Sequence, residues 1–184
     1  MENKIIHTTT TKTGKTVSFR YPTIKDAEIL MNYINKISAE KSFILFQGEQ
    51  KTLVEEKKWL KSKLESVKEN KAAFIIATID NELVGSTEIE LLPMAKKHIG
   101  SFGITVAKKF RREGIGKKMM ELVIKESIKK IKDLKIIDLE VFGQNPIAQN
   151  LYKKMGFIEY GCLPKSLKRR GKFDDAILMY KKVR

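Results

Sequence analysis

Arg111-Arg112-Glu113-Gly114-Ile115-Gly116 is the phrase on which the fold reading turns. Ahead of it, Ile99 to Val106 reads as a strand. Behind it, Ile115, Met119, Leu122 and Val123 recur at helical spacing. The local order is therefore strand, glycine turn, helix. Glycine lets a backbone adopt turns closed to other residues and approach a ligand closely. A helix N-terminus presents free amides and the positive end of a dipole, and together these bind phosphate. Arg111, Arg112 and Lys117 add charge at that point. The spacing is neither that of a Walker loop nor that of the three-glycine dinucleotide fingerprint. A lone Gly-x-Gly also fits an ordinary turn.

Outward from this phrase the periods are clear. Ala72 to Ile79 (AAFIIATI) is a near-continuous apolar run, as in a central strand, and Asp80-Asn81 turns it into a second strand, Leu83 to Leu92. Thr23-Ile24-Lys25-Asp26 and Thr52-Leu53-Val54-Glu55 read as capping boxes. The first opens a helix with Ala27, Leu30, Met31 and Ile34 on its stripe. The second opens one with Leu53, Leu60, Leu64 and Val67. Val17, Phe19 and Tyr21 alternate as a strand, and Lys135 to Val141 is another. Asn145-Pro146 opens a helix carrying Ala148, Leu151, Tyr152 and Met155, and Gly156 stops it. Phe157 to Leu163 and Asp175 to Val183 close the sheet. The order β-α-α-β-β-β-α-β-α-β-β predicts an α/β domain, a mixed sheet with helices on both faces. The patterned domain spans 17–184. Residues 1–16 are polar and poorly patterned, a loose end or an added edge strand.

Composition bounds the rest. The chain has 184 residues, one cysteine and two histidines, so an intramolecular disulfide and a four-ligand Cys/His zinc site are excluded. No metal is expected. No apolar run nears the roughly 20 residues of a membrane span. The first residues lack the apolar stretch of a secretory signal, which predicts a cytoplasmic protein with no membrane partner. The net charge of +15 suits solubility, a phosphorylated cofactor or a nucleic acid. Its densest groups are Lys108 to Arg112 and Lys165 to Lys172.

The glycine phrase and the downstream element N-P-x-A-x-x-L-Y-x-x-M-G-F together resemble the GNAT superfamily, the acyl-CoA-dependent N-acetyltransferases. The first hallmark is met by Arg111, Gly114 and Gly116, the second by Asn145, Ala148, Tyr152, Gly156 and Phe157. Phe19 to Ala27 resembles the family's opening strand and helix, so the likeness covers about residues 17–183. The resemblance implies a mostly antiparallel sheet with a splayed parallel strand pair holding acetyl-CoA. It implies that pantetheine lies along Ile104, Thr105 and Val106. The pyrophosphate would sit on the amides of Arg112, Glu113, Gly114, Ile115, Gly116 and Lys117, with Asn145 and Ala148 flanking the thiol end. Tyr152 would protonate the leaving thiolate, and Glu88, beside Glu90 on one strand face, would hold a base or steer water. The acceptor would be a primary amine of a small molecule or protein, and a homodimer is compatible with the fold.

Other side chains have plainer readings. Asp174 and Asp175 suit a turn, or a cationic substrate. His98 stands at a loop end, exposed or as a base. Cys162 reads as a small buried residue. Trp59 reads as core packing or as the wall of an acceptor pocket. Two other functions remain open: a basic nucleic-acid-binding domain, and an acyl-CoA-binding regulator without turnover. No specific nucleic-acid motif is recognisable.

Overall fold

The computed structural model describes residues 4–183. Residues 1–3 of the N-terminal segment, and Arg184, lie outside the described residues. The chain folds as β1 (Ile5–Thr10), β2 (Thr16–Arg20), α1 (Ala27–Ala39), α2 (Leu53–Lys68), β3 (Ala72–Ile79), β4 (Glu82–Leu91), β5 (Ile99–Val106), α3 (Ile115–Lys130), β6 (Ile136–Phe142), α4 (Pro146–Lys154), β7 (Ile158–Arg169) and β8 (Lys172–Lys182). One eight-stranded sheet runs β1-β2-β3-β4-β5-β6-β8-β7. Every neighbouring pair is antiparallel except β5 with β6. The polar start of the chain thus supplies β1, an edge strand on β2.

Helices cover both faces. Leu30, Tyr33 and Ile37 of α1 and Leu60 and Val67 of α2 pack with Phe74, Ile76 and Leu83 of the sheet. On the other face Met119, Met120 and Val123 of α3 and Tyr152 of α4 pack with Ala73, Ile75, Ile89 and Phe102. A strand with helices on both sides has no solvated face, so β3 is apolar at nearly every position. Thr23 and Thr52 head the capping boxes that their sequences predicted.

Three readings change. The buried stripe of α1 runs Ala27, Leu30, Tyr33, Ile37, with Met31 and Ile34 only half-buried. β7 extends to Arg169, through Pro164. An edge strand tolerates a residue with no amide, and the β7–β8 register slips between Leu163 and Leu167. Cys162 is exposed, not buried. It sits on β7, most of whose residues are exposed because the strand is at the sheet edge.

Candidate active site

The parallel pair sets the geometry. β5 and β6 pair only at Ile99↔Ile136, Gly100↔Ile137 and Ser101↔Asp138. Beyond Ser101 the strands part. β5 continues on β4 as far as Val106, and β6 continues on β8 as far as Phe142. A gap therefore opens between Phe102–Val106 and Leu139–Phe142. The amide of Ala107 donates to Val84 O at 2.9 Å. Ladder bonds alternate along an antiparallel strand, so the backbone groups of Ile104 and Val106 turn the other way, toward the gap. Thr105, between them, serves the β4 side.

At the end of β5 the chain makes one 3₁₀ turn (Lys108–Phe110) and reaches α3. Arg112 has φ +67° and Gly114 has φ +85°, two left-handed residues that swing the backbone into the helix. A Cβ on Gly114 would meet nothing within 4 Å, so that side of the turn is open. Gly116 lies against Val106, its hypothetical Cβ 3.6 Å from Val106 Cγ2. Ile115 is buried and anchors the turn to the core. The first intrahelical amide to find a carbonyl is Lys118, on Gly114 O at 3.1 Å. The amides of Arg112 to Lys117 have no such partner among the described residues. They form a nest of donors beside the gap.

The charged members of the phrase are spent differently. Arg111 donates to Val106 O at 2.8 Å and pairs with Glu40 at 2.5 Å, so it ties the end of β5 to the end of α1. Glu113 accepts from the amide and hydroxyl of Thr13, both at 3.2 Å, which brings the β1–β2 turn to the cradle. Lys117 is exposed and lies 3.8 Å from Glu121.

α4 begins where β6 ends. Asn145 caps it by accepting from the amide of Ala148 at 3.2 Å, and Pro146 follows at the first helical position. Ala148 is half-buried on the core, and Tyr152 packs edge-on to Phe102 of β5 with ring centroids 5.9 Å apart. Burial pushes the Tyr152 hydroxyl up to about 12, so it keeps its proton at neutral pH.

Across the sheet, between α1, α2 and the β4–β5 ladder, lies a cavity of ≈ 270 Å³. Tyr33, Phe46 and Trp59 form aromatic walls, with Glu56 and Glu88 among the other lining residues. Tyr33 donates to Thr105 Oγ1 at 3.0 Å. Trp59 stands edge-on to Phe74 and remains 38% exposed, so it is a wall rather than core. Glu88 sits 2.8 Å from the Lys63 ammonium, which Glu90 also holds. Gly103, opposite Glu88 in the ladder, leaves that wall free of a side chain. Tyr152 and Glu88 thus occupy opposite faces of the sheet, on either side of the splayed strands.

The remaining candidates fall outside this region or hold structure. Asp174 is buried and accepts from the amides of Gln144 at 3.2 Å and Asp175 at 2.9 Å. Asp175 accepts from the Lys165 amide at 2.9 Å. His98 is exposed where β5 starts, the end remote from the gap. Sequence reading missed Tyr33, Phe46 and Glu56, because their spacing is that of any amphipathic helix or loop. Among the described residues no helix is long and apolar enough to cross a membrane. Among the described residues no group of His, Cys, Asp and Glu is arranged to hold a metal.

Known proteins resemble this chain in sequence and fold. The chain is 34% identical over 109 residues to an N-alpha-acetyltransferase of Sulfurisphaera tokodaii, a match covering 54% of this chain. It is 30% identical over 106 residues to the L-amino acid N-acetyltransferase AaaT of Escherichia coli, covering 57% of this chain. The chain spans 65% of the length of each of these curated relatives. The crystal structure of a GNAT-family acetyltransferase from Streptococcus pneumoniae superposes with TM-score 0.83 at 25% identity, covering 91% of this chain and 99% of the other. Residues 35–157, from within α1 through the parted strands and the amide nest to the end of α4, match the model of the Acetyltransferase (GNAT) family. That span contains both strands that border the gap, the amide nest and α4, and the chain belongs to the GNAT acetyltransferase family.

Proposed function

We propose that the protein moves the acetyl group of acetyl-CoA directly to a primary amine. One observation carries this reading: the amide nest of Arg112 to Lys117 opens beside the gap where β5 leaves β6. A pyrophosphate is the group that such a nest accepts, through free amides and the dipole of α3. The gap continues from there, and the gap-facing backbone groups of Ile104 and Val106 suit the amides of a pantetheine arm. Asn145 and Ala148 line the α4 side. Arg111 acts through backbone: it fixes Val106 and α1 together at the mouth of the nest.

The chemistry follows from the groups in place. An ammonium cannot attack a thioester, so the acceptor must first lose a proton. Attack on the carbonyl carbon then expels the thiolate. Tyr152, protonated at neutral pH, supplies the hydrogen that the departing sulfur needs. A gap-facing amide such as that of Val106 stabilises the oxyanion. Glu88, held by the Lys63 ammonium that it shares with Glu90, orients water or acceptor at the cavity wall. No covalent enzyme intermediate is required.

The basic residues favour this reading over nucleic-acid binding. Arg111 is paired with Glu40, and Lys109 with Glu82. Arg170 donates to the carbonyls of Glu40 and Lys41, both at 3.1 Å, and Arg169 lies over the Phe43 ring at 4.2 Å. These cations brace the fold rather than form a comb for phosphates. Any DNA binding is then weak and lost near physiological salt.

The test is thiol release from acetyl-CoA against a panel of amino acids, peptides and aliphatic amines, beside thermal shifts with CoA and pantetheine. Turnover on an amine is expected, with CoA raising the melting temperature far more than pantetheine. Tight CoA binding without turnover on any amine means a non-catalytic CoA-binding protein. Equal stabilisation by CoA and pantetheine removes the phosphate nest from the site.

A further inference from the structure

The cavity between α1, α2 and the β4–β5 ladder holds two carboxylates in different states. Glu88 is paired with Lys63 at 2.8 Å, and Lys63 is shared with Glu90. Glu56, in the first turn of α2, is only 5% exposed. Its carboxylate makes no hydrogen bond and no ion pair with another described residue, and its oxygens still reach the solvent of the cavity. It lines the cavity. The charged and titratable groups around it are Lys51 from the loop before α2, Glu88 from β4 and Tyr33 from α1. Lys51 stands over the Phe46 ring, 5.6 Å from its centroid, and reaches no carboxylate. Tyr33 is engaged with Thr105.

A buried, unpaired carboxylate costs the fold free energy. Burial accordingly pushes the Glu56 carboxyl up, against the opposing pull of Lys51. Such a cost persists where a ligand repays it. An incoming ammonium repays it twice, by pairing with the carboxylate and by lying against aromatic faces. Leu30, Ile34 and Ile104 make the remaining walls mostly apolar, with the small hydroxyls of Ser86 and Thr105 beside them. A second ammonium would have to draw Glu88 away from the Lys63 ammonium that it shares with Glu90, and it meets Lys51.

We propose that Glu56 is the acceptor-binding carboxylate of this protein: it receives the ammonium of a monoamine with an apolar or aromatic group beside the amine, seats it between Tyr33, Phe46 and Trp59, and takes the proton that frees it to attack. This rests on the acetyl-transfer reading above. The balance is simple. The ammonium gives one proton to Glu56, and the neutral amine forms the C–N bond as the C–S bond breaks. The second amine proton is matched by the one taken up at sulfur, and Glu56 returns its proton to water. The products are an N-acetyl amide and free thiol.

Trp59, one turn along α2 from Glu56, is the only tryptophan in the chain. Its fluorescence reports on the cavity without any need for turnover. The experiment titrates 2-phenylethylamine, and separately spermidine, into the CoA-saturated protein, for wild type, Glu56→Gln and Glu56→Asp. The Gln variant is expected to bind 2-phenylethylamine at least about tenfold more weakly, the scale of a lost charged hydrogen bond. Its CoA affinity should be unchanged and its melting temperature higher, since the unpaired charge is gone. Glu56→Asp should keep most of the binding. Spermidine should bind wild type less well than the monoamine. In turnover, the acid limb of kcat/KM against pH should move in the Gln variant alone.

No monoamine binding to wild type, equal binding by Glu56→Gln, or a lower melting temperature in that variant overturns the proposal. The outcomes separate from those of the reading beneath it. Wild type that binds the monoamine through Glu56 but acetylates nothing sinks the transferase and keeps the amine site. Wild type that turns over unchanged in Glu56→Gln does the reverse.

Discussion

On the α3 side of β5 the surface offered to a ligand is backbone: the amides of Arg112 to Lys117 and the gap-facing groups of Ile104 and Val106. On the α1–α2 side it is side chain: Tyr33, Phe46, Trp59, Glu56 and Glu88 around a cavity. The two walls belong to one sheet yet answer to different constraints. A backbone wall needs glycine at a positive φ, a cap and a strand that leaves its neighbour. Few residues can supply these, so their spacing is a recognisable phrase. A side-chain wall needs only the right groups projected from helices and a loop. Any amphipathic pattern can carry them, and they set the acceptor without leaving a phrase.

The largest effect is expected where one side chain intrudes on the backbone wall. Tyr152→Phe keeps the ring that packs on Phe102 and removes the hydroxyl. Turnover should fall by about 10²–10⁴, in kcat rather than in CoA affinity. Near-normal kcat with an unchanged pH profile would make Tyr152 a packing residue and leave that wall purely backbone.

Next come two glycines that differ only in place. Gly114 (φ +85°) and Gly14 (φ +82°, in the β1–β2 turn) are both left-handed with open space around a hypothetical Cβ. Valine at either costs the fold about 1–2 kcal/mol in backbone strain. Only Gly114→Val should also lower CoA affinity, by roughly ten- to hundredfold, or about 1.4–2.8 kcal/mol. Calorimetric titration of the pair checks this, and equal CoA binding by both variants breaks the contrast between the walls.

The side-chain wall gives the converse. Trp59→Ala removes an aromatic face and its contact with Phe74. The acceptor KM should rise roughly three- to tenfold while CoA affinity holds. A CoA defect of the same size would show that the walls are one unit.

The smallest effect lies outside both. Burial pushes the Asp26 carboxyl up, but hydrogen bonds from Arg20 and the Thr23 amide outweigh it and hold the group below its usual value. A depressed carboxyl stabilises the fold above its unfolded value, near pH ~4, and that contribution is lost as the pH falls through the lower folded value. Asp26→Asn should therefore cost about 1–2 kcal/mol at neutral pH. The cost should shrink in acid, with CoA and acceptor constants unmoved. Thermal melts at pH 7 and pH 3 measure it.

The sequence carried the elements well for a physical reason. Thr23, Thr52 and Asn145 cap helices through contacts within three residues, so a short window contains the whole interaction. Gly114 marks its turn in the same local way. β1 was only half legible, because a short edge strand of polar residues has no buried face to set a period. Cys162 was misplaced because exposure on β7 depends on which strand ends the sheet, a fact about β8 and β6 rather than about residues near 162.

By itself, then, the chain's order of caps, periods and glycines determined twelve elements save one edge strand, the two helical faces and the amide nest. Those features rest on interactions of short reach. The point at which the expected splay of β5 from β6 begins, just past Ser101, the use of Arg111 on Val106 and Glu40, the ion pair of Glu88 with Lys63 and the solitary Glu56 were decided by tertiary structure. Each joins residues tens of positions apart. Whether a charge is paired or alone depends on what the fold brings to it, and no local window contains that partner.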